Sequence, residues 1–97
     1  MTVARHYLMH AKEGMDATLE TALIDIAEAV RPLPGCLGVE MLRDIGNERR
    51  FIFIEKWADV DAHKAGSSSL DRSLIDRLGA ALDGPPEGAY LDYLRTF

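Results

Sequence analysis

The sequence predicts an α+β domain in which helices cover one face of a four-stranded antiparallel sheet, in the β-α-β-β-α-β order of the ferredoxin-like fold. Apolar residues recur at every second position in four segments, which is typical of strands, and at steps of three and four in segments between them, which is typical of helices. Turn residues join the second and third strands into a hairpin. The 97 residues have the length of one domain, which we expect to span residues 1–97.

The first strand is predicted over residues 2–10 and the first helix over residues 16–30. On the strand, four residues share one face: Val3, Arg5, Tyr7 and Met9. On the helix, five apolar residues form one stripe: Leu19, Ala22, Leu23, Ile26 and Val30. Asp16 suits the first helical turn because the helix dipole favours negative charge there, and Pro32 stops the helix.

The second and third strands are predicted over residues 39–43 and 50–57, with a turn at Gly46 and Asn47 between them. The third strand is expected to be central, because both of its faces are mostly apolar. One face carries Phe51, Phe53, Glu55 and Trp57, and the other carries Ile52, Ile54 and Lys56. Glu55 is the exception on its face, since a buried carboxylate either finds a partner or has a raised pKa.

Two helical segments and a last strand complete the prediction. Asp59 is the predicted N-cap of a short helix over residues 60–65, which residues 66–69 are expected to interrupt. A longer helix is predicted over residues 70–82, where leucines recur at four-residue steps. The last strand is predicted over residues 88–94.

Charge and hydropathy exclude several classes of partner. The formal net charge is −5 and the sequence contains no basic run, so we expect neither nucleic acid nor an anionic membrane as a partner. No apolar run approaches the ~20 residues that cross a bilayer. The first residues lack the basic and apolar pattern of a signal peptide, and we therefore expect a cytoplasmic protein.

The histidines and the cysteine do not predict a metal site. Cys36 is the single cysteine of the chain, so no disulfide can form within it. His6 and His10 have the spacing of a helical ligand pair, but on a strand they lie about 13 Å apart, too far to share one ion. We expect no metal.

The face of the sheet opposite the helices is predicted to be partly apolar. Ile52 and Ile54 lie on this face of the central strand. An apolar face of that size usually contacts a partner. We therefore expect a homodimer joined sheet to sheet.

Two segments of the chain resemble a known family. These are Pro-Gly-Cys-Leu-Gly at residues 34–38 and Phe-Ile-Phe-Ile-Glu-Lys-Trp-Ala-Asp-Val-Asp-Ala at residues 51–62. With the order of elements, they are similar to the antibiotic-biosynthesis monooxygenase domain family, whose members are small dimeric α+β-barrel proteins. The resemblance covers nearly the whole chain. The family includes cofactor-free oxygenases of quinols and polyketide anthrones, haem-degrading enzymes, and members with no known activity.

The resemblance implies positions for a substrate site between the sheet and the helices. Trp57 would line this pocket. His63 and Arg77 occupy positions where the polyketide-oxidising branch has a Tyr and an Arg near the substrate, and Phe53 stands where that branch has an Asn. Tyr7 aligns with an Asn of the haem-degrading branch. Tyr7, Phe53 and Trp57 are thus the expected substrate-binding residues.

The resemblance implies a cofactor-independent monooxygenase acting on a small aromatic substrate. His63 or Glu55 would act as base, since a phenolate can reduce oxygen directly, and Arg77 would stabilise the anion. Other interpretations of the same residues remain: Trp57 as core, Glu55 as an ion-pair partner, and His63 as a solvated helix residue. At the level of function, the alternatives are a dimeric module that binds a small apolar ligand without reaction, and a haem-binding or haem-degrading protein.

Overall fold

The computed structural model describes residues 2–97, which form three helices and a four-stranded antiparallel sheet. The strands are β1 (Val3–His10), β2 (Cys36–Asp44), β3 (Asn47–Trp57) and β4 (Glu87–Asp92). The helices are α1 (Asp16–Val30), α2 (Val60–Ser68) and α3 (Arg72–Ala81). The strand order in the sheet is β2-β3-β1-β4, which confirms the predicted ferredoxin-like arrangement.

β3 is a central strand, as predicted, and its neighbours are β2 and β1. The β1–β3 register places Tyr7 opposite Phe53 and Arg5 opposite Glu55. The face that carries Phe53 and Glu55 is buried beneath the helices, whereas Ile52, on the other face, is only half-buried. The alternation along β1 and β3 therefore decides which side chains the helices cover.

α1 supplies most of the cover of this face. Its bounds agree with the prediction, and its apolar stripe is buried against the sheet. The chain leaves α1 just before Pro32, which lacks the N–H needed to continue a helix.

The connection after β3 differs from the prediction. Asp59 does cap α2, since its side chain accepts a hydrogen bond of 2.7 Å from the backbone N–H of Ala62. Gly66 does not interrupt this helix, however, and α2 continues to Ser68. Gly66 is buried where the Trp57 indole packs against the helix, and a Cβ at this position would stand 2.5 Å from Cη2 of Trp57. The glycine provides room for a neighbouring side chain and is not a breaker here.

α3 is a separate helix rather than the continuation of α2. The Asp71 side chain caps it by accepting a hydrogen bond of 2.9 Å from the backbone N–H of Ser73. The order of elements is therefore β-α-β-β-α-α-β, and α2 and α3 correspond to the two helical segments predicted after the third strand. The predicted strand over residues 88–94 is also shorter in the structure, where β4 ends at Asp92.

Within residues 2–97, no helix covers the second face of the sheet, which we call the open face. The strand registers place Leu42, Ile52, Leu8 and Leu91 on it. Leu42 and Leu91 are about half exposed. Among the described residues, no helix is long and apolar enough to span a membrane.

Candidate active site

A cavity of about 200 Å³ lies between the buried face of the sheet and the three helices. Its walls are mainly apolar, and four polar residues contribute to its lining. The apolar lining consists of Met9, Leu23, Ile26, Val30, Phe53, Trp57, Leu70, Ile75, Leu78 and Pro86. The polar residues are Tyr7, Glu55, His63 and Ser67. Such a cavity, apolar with a few polar groups, is typical of a site for a small molecule.

Glu55 is held on β3 beside the indole of Trp57. Its Oε1 accepts a hydrogen bond of 3.0 Å from Nε1–H of Trp57 and lies 3.6 Å from Nε2 of His63. Only 5% of the residue is exposed. Burial raises the pKa of the Glu55 carboxyl, while the Trp57 hydrogen bond and the positive charge of Arg5 act in the opposite direction.

His63 lies in the first half of α2, and its ring is hydrogen bonded at both nitrogens. Nε2 is 3.0 Å from the Tyr7 hydroxyl, and Nδ1 is 2.6 Å from the Tyr90 hydroxyl. Burial lowers the pKa of His63, and the charges of Arg5 and Lys64 lower it further. The imidazole is therefore neutral at pH 7. A neutral imidazole has one donor and one acceptor nitrogen, so one tyrosine donates to the ring and the other accepts from it.

Arg5 brings positive charge to the two tyrosines. Its Cζ lies 4.8 Å from the ring centroid of Tyr7 and 4.3 Å from that of Tyr90, at cation–π distance. Among the described residues, its buried Nε has no hydrogen-bond partner. Gly88 on β4 leaves room for the guanidinium, which a Cβ at that position would overlap.

Tyr7 lies where the polar groups meet. Burial raises the pKa of its hydroxyl, whereas the nearby guanidinium of Arg5 opposes this change. Its ring packs edge-on against Phe53, with the centroids 6.4 Å apart. The neutral hydroxyl therefore faces both the cavity and the imidazole of His63.

Five of the six residues predicted for the site come together in this cavity. They are Tyr7, Phe53, Glu55, Trp57 and His63. Arg77, the sixth, does not reach it. Arg77 is half exposed on the side of α3 that faces α1, where it forms an ion pair with Asp25. Ile75 and Leu78 are the α3 residues that face the cavity. This position does not support the predicted contact between Arg77 and a substrate anion.

Two residues of the polar cluster were not predicted, namely Arg5 and Tyr90. Both lie on the buried-face side of their strands and stand directly opposite each other in the β1–β4 register. The alternation of β1 already placed Arg5 on the same face as Tyr7. The position of Tyr90 depends on the pairing of the two strands most distant in sequence, which no local pattern specifies.

The described residues, 2–97, contain no group of three His, Cys, Asp or Glu side chains placed to hold a metal ion. His6 and His10 lie on the side of β1 that faces away from the cavity. Both ring nitrogens of His63 are already engaged by tyrosine hydroxyls. Hydrogen bonds link the polar side chains at this end of the cavity to one another.

Solved structures with the same fold include one oxygenase, SnoaB. SnoaB of Streptomyces nogalater, a cofactor-independent oxygenase, aligns with a TM-score of 0.87 at 18% identity, covering 98% of this chain and 95% of SnoaB. A protein of Bordetella bronchiseptica aligns with a TM-score of 0.86 at 20% identity, covering 97% and 98% of the two chains. One from Caulobacter crescentus aligns with a TM-score of 0.84 at 24% identity, covering 97% and 91%. At these identities, the likeness establishes the fold.

No protein with a curated functional description matches the chain significantly. The sequence model of one family, described as antibiotic biosynthesis monooxygenase, does match it, over residues 2–70. That segment runs from β1 through α2 and therefore includes five of the residues that form the polar end and aromatic wall of the cavity: Tyr7, Phe53, Glu55, Trp57 and His63. The match extends over more than half of the chain, and the protein belongs to the antibiotic biosynthesis monooxygenase family.

Proposed function

We propose that this protein is a cofactor-independent monooxygenase that oxidises a small aromatic substrate, of the hydroquinone or anthrone type, with molecular oxygen. The observation that carries the proposal is the convergence of Tyr7, Glu55 and His63 at one end of an apolar cavity. Family membership and the shared fold with SnoaB, a cofactor-independent oxygenase, support it.

The chemistry begins with removal of a proton from a phenolic or enolic hydroxyl. The neutral imidazole of His63 is available as a proton acceptor near neutral pH, because its pKa is lowered. The resulting anion is electron-rich and transfers electrons to oxygen. One oxygen atom is incorporated into the substrate, as a carbonyl in an anthrone or as a hydroxyl in a hydroquinone, and the other leaves as water. The substrate loses two hydrogen atoms in total, which balance the two hydrogen atoms of the water. The electrons and atoms balance without an external reductant.

The walls orient the substrate ring. Trp57 and Phe53 present aromatic surface to the cavity, and Glu55 fixes the Trp57 indole through its hydrogen bond. A volume of about 200 Å³ is below the roughly 300–1,000 Å³ of pockets for drug-sized ligands. Within the proposed substrate class, this size favours a hydroquinone of one or two rings over an anthrone, which has three fused rings.

The positive charge nearest the reacting end is expected to come from Arg5. Arg5 stacks on Tyr7, so its charge stabilises an anion that forms beside the Tyr7 hydroxyl. In this proposal Arg5 takes the electrostatic role that the sequence predicted for Arg77.

A second candidate function is the binding of a small apolar ligand without reaction. The apolar lining favours it, because most of the cavity wall offers packing and no chemistry. This alternative predicts saturable binding of aromatics without oxygen consumption. The haem alternative is less well supported, since both nitrogens of His63 are already hydrogen bonded. Titration with haem tests this alternative: a shift of the Soret band would support haem binding, and an unchanged band would exclude it.

The proposal includes a homodimer formed through the open face. Leu42, Ile52 and Leu91 expose apolar surface there, and a second copy would cover it. Sedimentation of the wild-type protein and of Leu42→Glu tests this: we expect a dimer and a monomer, respectively.

A cytoplasmic location is part of the same proposal, and the single cysteine, Cys36, is compatible with a reducing compartment.

Oxygen uptake by the purified protein tests the proposed function. The protein is freed of flavin and metal and is given a panel of hydroquinones, catechols and anthrones. We expect saturable uptake with one class and a loss of about a hundredfold or more in kcat for His63→Ala. His10→Ala is the matched control, because His10 lies on the side of β1 away from the cavity. Full turnover in both His63→Ala and Glu55→Gln would refute the mechanism.

A further inference from the structure

We propose that Tyr90 on β4 is a relay residue that carries the substrate's proton from His63 to solvent and later returns a proton by the same route. The inference rests on the proposed function and extends it. The geometry behind it is a chain of hydrogen bonds, from the Tyr7 hydroxyl to Nε2 of His63 at 3.0 Å and from Nδ1 to the Tyr90 hydroxyl at 2.6 Å.

The two ends of this chain lie in different environments. Tyr7 lines the cavity, where a substrate hydroxyl would meet it. Tyr90 is 38% exposed and lies outside the cavity lining. His63, between them, is 5% exposed. The hydrogen bonds therefore run from the cavity, through a buried imidazole, to a tyrosine that is partly exposed to solvent.

The engagement of both ring nitrogens determines how His63 can act as a base. A substrate hydroxyl cannot approach either nitrogen directly while the two tyrosines occupy them. It meets the Tyr7 hydroxyl first. The proton must therefore move in a concerted chain, in which each oxygen or nitrogen receives one proton as it gives up another.

The transfer can be written bond by bond. At the start, Tyr7 donates to Nε2, and Nδ1–H donates to the Tyr90 oxygen. The substrate O–H bond breaks as a new O–H bond forms on Tyr7, and the original Tyr7 proton passes to Nε2. The proton on Nδ1 passes to Tyr90, whose own proton goes to water. The substrate becomes an anion, and His63 ends neutral in its other tautomer.

The second half of the reaction resets the chain. After the anion has transferred electrons to oxygen, the reduced oxygen needs a proton before it leaves as water. A proton entering at Tyr90 and running inward supplies it and restores the starting tautomer of His63. One proton leaves and one returns in each cycle, as the overall balance requires.

The charged groups around His63 favour this outward route. Glu55 is 3.6 Å from Nε2, but it is buried and its Oε1 already accepts the Trp57 hydrogen bond, so a proton placed there would stay inside the cavity. Arg5 stacks on the rings of both tyrosines, and the charges of Arg5 and Lys64 disfavour an imidazolium between them. His63 therefore passes protons on rather than storing one.

A chromogenic phenol tests the relay without any oxygen chemistry. Under anaerobic conditions, 4-nitrophenol is mixed with the protein at a pH where the free probe is neutral, and stopped-flow absorbance follows its ionisation on binding. We expect Tyr90→Phe to bind the probe with unchanged affinity and to ionise it about tenfold or more slowly. The aromatic ring beneath Arg5 is retained in this variant. Tyr93→Phe is the matched control, since its ring contacts Lys56 and it has no part in the chain.

Rescue by an external base separates a relay from a structural role. Tyr90→Ala opens a path from solvent to Nδ1 of His63, so we expect its ionisation rate to rise with the concentration of imidazole buffer, whereas the wild-type rate stays constant. A slow Tyr90→Ala variant that imidazole does not accelerate would overturn the relay. The relay would also be overturned if Tyr90→Phe ionised the probe as fast as Tyr93→Phe does, and that result would leave the proposed function standing. If the wild-type protein binds the probe and never ionises it, or does not bind phenols, the base chemistry of the proposed function fails together with the relay.

Discussion

Replacing Gly66 with alanine is expected to destabilise the protein, although alanine is the better helix former. Gly66 lies inside α2 at a buried position against Trp57. A Cβ there would stand 2.5 Å from Cη2 and 3.1 Å from Cζ3 of Trp57, and 3.3 Å from Cδ1 of Leu33. Carbon atoms pack best at roughly 3.5–4.0 Å, so the indole or the helix would have to move by about 1 Å.

The expected magnitude follows from two opposing terms. At an open helical site, glycine to alanine gains about 0.5–1 kcal/mol, because it reduces the entropy of the unfolded chain. Overpacking a well-filled core costs about 1–3 kcal/mol. The indole cannot easily yield, since its N–H is bonded to Glu55 and its ring is almost completely buried. We expect the free energy of unfolding to fall by about 1–2 kcal/mol, and each kcal/mol lowers Tm by about 4–8 °C.

Gly79 in α3 provides the matched control. No atom of the described residues lies within 4 Å of a Cβ at this position, apart from its immediate neighbours and its own helix backbone. Gly79→Ala is therefore expected to stabilise by up to about 1 kcal/mol. Urea unfolding followed by circular dichroism, at matched protein concentrations, measures both variants. If Gly66→Ala is as stable as Gly79→Ala, or if its penalty persists unchanged in a Trp57→Phe background, the packing described for Trp57 is wrong.

Three further predictions concern the charged groups. Glu55→Gln keeps the hydrogen-bond acceptor for the Trp57 indole and removes a buried charge. Because burial raises the pKa of the Glu55 carboxyl above 4.5, this group contributes fully to the stability of the folded protein only below pH 4.5, and the contribution is lost as the pH rises through the folded-state pKa. Unfolding of Glu55→Gln across pH should therefore show a variant at least as stable as wild type at pH 7, and a loss of several kcal/mol there would contradict this. The pKa of His63 lies below 6.5, so kcat/KM in a pH–rate profile should remain level through pH 6.5 and fall only at lower pH; a decline centred at or above pH 6.5 would exclude a buried neutral imidazole as the base. Arg77→Ala removes an exposed ion pair with Asp25, for which we expect about 0–1 kcal/mol in thermal unfolding and unchanged oxygen uptake. A large loss of uptake in that variant would restore the catalytic role predicted from the sequence.

Periodicity in the sequence predicted most of the fold and the inner surface of the cavity. On a strand, alternation alone decides which residues share a face, and this placed Phe53, Glu55 and Trp57 together on β3. The same rule placed Tyr7 on the matching face of β1. His63 was assigned to the site by the resemblance to the family, and the Asp59 cap fixed only where α2 begins.

The features that the sequence did not predict depend on packing between distant elements. Gly66 is a breaker by local propensity, and only the indole against it explains why a glycine lies inside α2. Arg77 points away from the cavity because the rotation of α3 is set by its apolar contacts, and one position along a helix turns a side chain by about 100°. Tyr90 joins the cluster through the β1–β4 register, which is a pairing between the two ends of the chain.

The most direct test of the proposed function is the fate of isotopically labelled molecular oxygen in flavin-free, metal-free protein with the best aromatic substrate from the uptake panel. Mass spectrometry of the product and of the water should find one labelled atom in each, at full yield in His10→Ala and greatly reduced in His63→Ala. Labelled oxygen that appears only as peroxide, or a substrate that binds in the cavity and is recovered unchanged, would contradict a monooxygenase. The second result would make the protein a binding module.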